Sequence, residues 1–162
     1  MSVTISLIPL ALAAAGLLTA GTAAHAGDAI AAQAAARGER AVAMRTRLKD
    51  RGLLEQALSD IGATDIIVGD EVTAAFGDVR IAMEQDADGI WQAHVTGDHS
   101  DAQLTERGTT LLAELDAAYA LRVQQAVAQR IRERADGAGF ELASEQRDGD
   151  TVTMTLTVKE TA

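Results

Sequence analysis

The sequence contains no cysteine. That removes disulfides, thiol nucleophiles, thiolate metal sites and iron–sulfur clusters. Aromatic side chains are nearly absent too: Trp91, Tyr119, Phe76 and Phe140 are the whole set. They offer no base-stacking platform for single-stranded nucleic acid, and they leave the core to Leu, Ile, Val, Met and Ala. Basic residues are scarce, 14 Lys and Arg against 24 Asp and Glu, for a formal net charge of −10. A chain of that sign repels phosphate backbones, so nucleic acid is not an expected partner. Gly-x-Gly-x-x-Gly, Walker and His-Glu-x-x-His patterns are missing, so no cofactor is expected. Ser59 and Ser100 lack the spaced His and Asp that mark a nucleophile.

Residues 1–27 carry no Asp, Glu, Lys or Arg. As a helix, residues 3–24 would reach about 33 Å, enough for a hydrocarbon core of about 30 Å. The sole proline, Pro9, is tolerable in a membrane helix. Two readings follow for residues 1–26. In the first they are an uncleaved anchor. Arg37, Arg40, Arg45, Arg47, Lys49 and Arg51 all follow the apolar run and no basic residue precedes it. The positive-inside rule then puts the N-terminus outside and the rest in the cytoplasm. In the second they are a secretory signal cleaved after Ala26, since Ala24-His25-Ala26 fits the small-x-small pattern, and the protein is exported. Residues 27–41 are Ala-rich and read as a juxtamembrane helix or linker that stops at Gly38.

Residues 42–162 read as one domain. Val42, Met44, Thr46 and Leu48 alternate as in a strand. Asp50 caps a helix over 51–61 that Gly62 ends. Short strands follow over 64–68, 72–76, 79–83 and 90–95, separated by Gly69-Asp70, Gly77-Asp78 and the hairpin signal Asp88-Gly89. Trp91, Ala93 and Val95 form the face to bury, which leaves His94 facing solvent. Ser100 or Asp101 caps a long amphipathic helix ending at Ala135. Strands over 140–145 and 151–158 close the domain around Asp148-Gly149. The expected fold is α+β, in the order β-α-β-β-β-α-β-β. It is a two-layer sandwich of one mainly antiparallel sheet with two helices on one face, plus an N-terminal hydrophobic helix.

Three groups of residues carry candidate chemistry. His94, Asp98, His99 and Asp101 have the donor types of a zinc, iron or acid/base site, although most histidines so placed are solvated. Asp86-Ala-Asp88-Gly89 begins like a calcium loop but lacks the third ligand and distal Glu, which favours a hairpin turn. Arg130, Arg132 and Arg134 oppose the negative end of the long helix's dipole and form either a phosphate-binding patch or a solvated face.

Thr46-Arg-Leu-Lys-Asp50, Leu53-Leu-Glu-Gln-Ala-Leu58, Ile61-Gly62, Tyr119-Ala120, Gly139-Phe140 and Asp148-Gly149 before Val152 follow one another in an order and spacing that resembles a known family. These are the hypothetical chloroplast reading frame 35 proteins of plastid and cyanobacterial genomes, grouped as domain of unknown function 1257. The resemblance covers about residues 42–159 and is poorest over 76–95. It implies a domain of the cytoplasm or stroma without assigned catalytic residues, working beside an AAA-type ATPase. Together these features predict a membrane-tethered accessory protein, more an interaction domain than an enzyme, with residues 3–24 in the membrane and a protein as partner. The rival is a small metal-dependent or ligand-binding enzyme that uses His94 and His99.

Overall fold

The computed structural model describes residues 2–9 and 26–159. The chain divides into a larger unit, Leu12–Tyr119, and a smaller one that joins Met1–Ala11 to Ala120–Ala162.

The larger unit is built on a five-stranded antiparallel sheet in the order β2-β6-β5-β4-β3, made of β2 (Arg40–Arg45), β3 (Thr64–Val68), β4 (Glu71–Phe76), β5 (Val79–Gln85) and β6 (Trp91–Gly97). The hairpin at Asp88-Gly89 forms because Gly89 takes a left-handed φ of 72°. Asp86 Oδ1 also accepts the backbone N–H groups of Asp88 and Ile90, each at 2.9 Å. The calcium-like motif is therefore this turn. One face of the sheet buries Val72, Ile81, Met83, Trp91, Ala93 and Val95 against Leu54 and Leu58 of α2 (Arg51–Asp60) and Leu104 and Leu115 of α3 (Asp101–Ala135). Two helices on one face are thus as the periodicity predicts.

Both helix starts are sealed by side chains. Asp50 accepts the N–H of Leu53 at 2.9 Å. Ser100 and Gln103 exchange bonds in a capping box, Gln103 N–H to Ser100 Oγ at 3.3 Å and Ser100 N–H to Gln103 Oε1 at 3.1 Å. The Tyr119 hydroxyl accepts the N–H of Asp50 at 2.9 Å and of Lys49 at 3.3 Å, so two widely separated parts of the sequence meet at the start of α2.

The expected juxtamembrane segment is α1 (Ala26–Ala36), a helix that ends at Gly38 with φ 75°. It packs on β2 and β6, with Ile30 and Ala34 buried one turn apart. It adds a helix at the β2 and β6 end of the five-stranded sheet that the expected two-layer arrangement does not include.

The smaller unit corrects the expectation of a single sheet. It has its own antiparallel sheet in the order β1-β8-β7, made of β1 (Ser2–Leu7), β7 (Phe140–Asp148) and β8 (Thr151–Val158). Residues 120–135 of α3 belong to this unit, and Ala128 and Ile131 pack on Val152, Met154 and Leu7. Gln124 is buried there, and its amide Nε2 donates to the carbonyls of Leu7, at 2.8 Å, and Asp150.

The second correction is at the N-terminus. Ser2–Leu7 is a strand, paired with β8 from Ser2↔Thr157 to Leu7↔Val152, rather than the start of a hydrophobic helix. The reason is local. Val3, Ile5 and Leu7 alternate with Ser2, Thr4 and Ser6, a period of two with β-branched residues on both faces. The rest of the 3–24 expectation falls on residues 10–25, outside those described. Among the described residues no helix is long and apolar enough to cross a membrane. A signal cleaved after Ala26 would take β1 away from β8.

Candidate functional site

The four sequence candidates do not converge. Asp98 is exposed, and Asp101 pairs with Arg40 at 3.1 Å. His94 lies on the sheet face opposite Trp91, as the alternation requires, but it is only 8% exposed rather than solvated. Ala43 and Ala82 are its cross-strand neighbours, and Glu84 Oε1 lies 3.4 Å from its Nε2. The Ala-rich α1 packs on β6 and its neighbour β2, the strands that carry His94 and Ala43. Among the described residues, no group of three or more His, Asp and Glu could hold a metal ion.

His99 does meet partners, though not the predicted ones. Its Nε2 is 2.9 Å from Asp78 Oδ2, and Arg107 donates to Asp78 Oδ1 at 2.6 Å. Three elements make this cluster. Asp78 sits in the turn that Gly77 opens with φ 63°. His99 follows β6, and Arg107 stands on the second turn of α3. Register brings them together, because Val79 pairs with Gly97 and so sets the β4–β5 turn beside the end of β6. Gly97 is needed for the fit, since a Cβ there would lie 3.0 Å from the backbone oxygen of Asp78 and 3.3 Å from the His99 ring.

Arg107 holds the Asp78 carboxyl below the usual range, with His99 adding to the effect. Chemically this is an oriented imidazole with a carboxylate behind it, half of an acid/base relay. No nucleophile completes it at the neighbouring position, because the Ser100 hydroxyl donates to Gln103 Oε1 at 2.9 Å. Arg107 also lines an open groove of about 490 Å³ with Phe76, Val79, Glu106, Thr110 and Glu114. Sequence reasoning found His99 but missed Asp78 and Arg107. The only available signal for Asp78 was its turn, and Arg107 carries none.

A pH dependence follows. Because the Asp78 carboxyl is depressed in the folded state, its contribution is complete above the unfolded value of about 4 and is lost as pH falls through the lower folded value. Asp78→Asn should therefore narrow its stability gap to the wild type between neutral pH and pH ~3. Urea midpoints at both pH values check this, and a gap that widens on acidification would contradict it.

Arg130, Arg132 and Arg134 also separate. Arg132 makes a two-pronged pair with Glu145, its Nε at 2.9 Å. Arg130 and Arg134 form no ion pair or hydrogen bond among the described residues; they line a second groove in the smaller unit.

No family model, no curated protein and no solved structure matches this chain.

Proposed function

We propose that this chain is a non-catalytic accessory protein that takes up an extended segment of a partner protein on the free edge of its larger sheet. One observation carries this. Among the described residues β3 is an edge strand, hydrogen-bonded only to β4, and it exposes Ile67 by 66% and Val68 by 38%. Edge strands are commonly blunted by charge, proline or a covering element. β2, the opposite edge, begins and ends in arginine, at Arg40 and Arg45. β3 has only Asp65, which stands at a left-handed φ of 50° where the register shifts, and the stretch after it is plain apolar strand. Main-chain hydrogen bonds to a free edge give affinity, and alternating side chains give specificity. The reading does not need a membrane tether. Work beside an AAA-type ATPase, which the family resemblance implies, is a setting compatible with it.

The expected result is a defined partner retained by the wild type, with slowed amide exchange across β3 in the complex, and both lost in Ile67→Lys. Retention unchanged by Ile67→Lys would refute edge docking. Turnover of a substrate that disappears in His99→Ala would establish the enzyme reading instead.

A further inference from the structure

The smaller unit contains a second feature, independent of the β3 edge. α3 crosses its sheet without closing over it, and leaves an open groove of about 380 Å³. Ile5, Leu156 and Phe140 line its sheet side, and Val127 and Ile131 its helix side. Val127 is 41% exposed and joins Ile5, Ile131, Phe140 and Leu156 in one apolar lining. The lining has two polar side chains, Arg130 and Arg134. They stand one helical turn apart, are exposed, and lack any anionic partner among the described residues. Nearby Arg132 is already engaged by Glu145, and Glu133 accepts from Gln129 at 2.8 Å, so the nearest flanking charges on the helix are occupied.

We infer that this groove binds a single-chain anionic amphiphile of the fatty-acid class. The carboxylate pairs with Arg130 and Arg134, and the alkyl chain lies along Ile5, Val127, Phe140 and Leu156. Charge complementarity selects the head group, because two guanidinium groups in the lining of an otherwise apolar trough match one carboxylate with a hydrocarbon tail. The wider charge does not oppose it. Residues 120–162 hold six basic and seven acidic side chains, so the excess of −10 lies almost wholly in the larger unit. A peptide fits less well, since no side chain of the lining accepts a hydrogen bond from its backbone N–H groups. A bilayer surface fits less well too. The apolar surface is concave, and two cations are fewer than the four to eight of a typical polybasic lipid site.

Titration calorimetry of the full chain with dodecanoate, kept below its micelle concentration, tests the assignment. Acetate, dodecanol and anionic phospholipid vesicles are the comparison probes. The wild type should bind dodecanoate saturably at one site, dodecanol roughly tenfold more weakly, and acetate not at all. Arg130→Gln with Arg134→Gln should bring dodecanoate down to the dodecanol level. Val127→Asp should abolish both. All three positions are exposed, so melting curves should stay at the wild-type value; if the double variant melts early, each single arginine variant should still show part of the loss. Absence of saturable dodecanoate binding, an unchanged affinity in the arginine variants, or a preference for vesicles over free dodecanoate would each overturn the assignment. None of these outcomes touches the β3 edge, which Ile67→Lys probes separately.

Discussion

Valine at position 108 should destabilise the protein by about 3 kcal/mol or more, the largest effect expected from so small a side chain. Gly108 lies on α3 where the helix crosses β2 and β6. A Cβ built there would lie 2.6 Å from Met44 Sδ and 2.9 Å from Val95 Cγ2. The thioether can swing away, because methionine is unbranched and adaptable. The valine methyl cannot, since Val95 is fully buried on β6, between β2 and β5, and is held to few rotamers. Alanine meets the same contact but recovers up to ~1 kcal/mol of helix propensity, so Gly108→Ala should cost only about 1 kcal/mol net. Gly52, in the first turn of α2, is the control. A Cβ there meets only Asp50 Oδ1, at an ordinary 3.4 Å, so Gly52→Ala should be neutral or slightly stabilising. Urea denaturation ranks the three variants. Adding Val95→Ala to Gly108→Ala should recover part of the loss as a coupling energy. If Gly108→Val unfolded at the wild-type midpoint, α3 would have to sit farther from the sheet than this packing requires.

Much of the larger unit was legible because its signals are local. Asp50 and Ser100 cap helices through bonds to residues three positions on. Gly62, Gly77 and Gly89 all take the left-handed φ that a turn or helix end requires. The alternation that buries Trp91, Ala93 and Val95 needs no knowledge of distant chain. What could not be read depends on partners far away in sequence. β1 pairs with β8 across about 150 residues, and nothing at either end announces the other. Judged over 22 residues, the N-terminal run looks like a membrane helix. Judged over its first six, it alternates as a strand, and long-window averaging hides the shorter period. The site failed in the same way. His99 was visible as a residue type, but Asp78 joins it only through the Val79–Gly97 register, and Arg107 only through the position of α3. His94 was placed on the correct face and given the wrong environment. The Ala-rich stretch that packs on its strand reads in the sequence as a juxtamembrane helix or linker, with nothing to show that it lies against β6.

Trp91 is where packing should dominate most clearly. Its side chain is fully buried. The indole N–H donates to the carbonyl of Lys49 at 3.1 Å, and Arg51 lies 5.7 Å above the ring. Trp91→Ala should cost ~3–5 kcal/mol, a large part of the ~5–15 kcal/mol that holds an ordinary domain together. Nearly all of that is the cavity. The Lys49 carbonyl keeps a second donor, Gln85 Nε2 at 3.0 Å, so losing the indole does not orphan it. Trp91→Phe, which keeps an aromatic ring but no donor, should therefore lose only about 1–2 kcal/mol. Both variants lack the only tryptophan, so far-UV circular dichroism must follow their unfolding. If phenylalanine proved as damaging as alanine, the hydrogen bond to Lys49 would outweigh the volume it anchors. The link between the β2–α2 connection and β6 would then be polar in origin. The Gln85 bond argues that volume decides, because it leaves the carbonyl satisfied whichever ring stands at position 91.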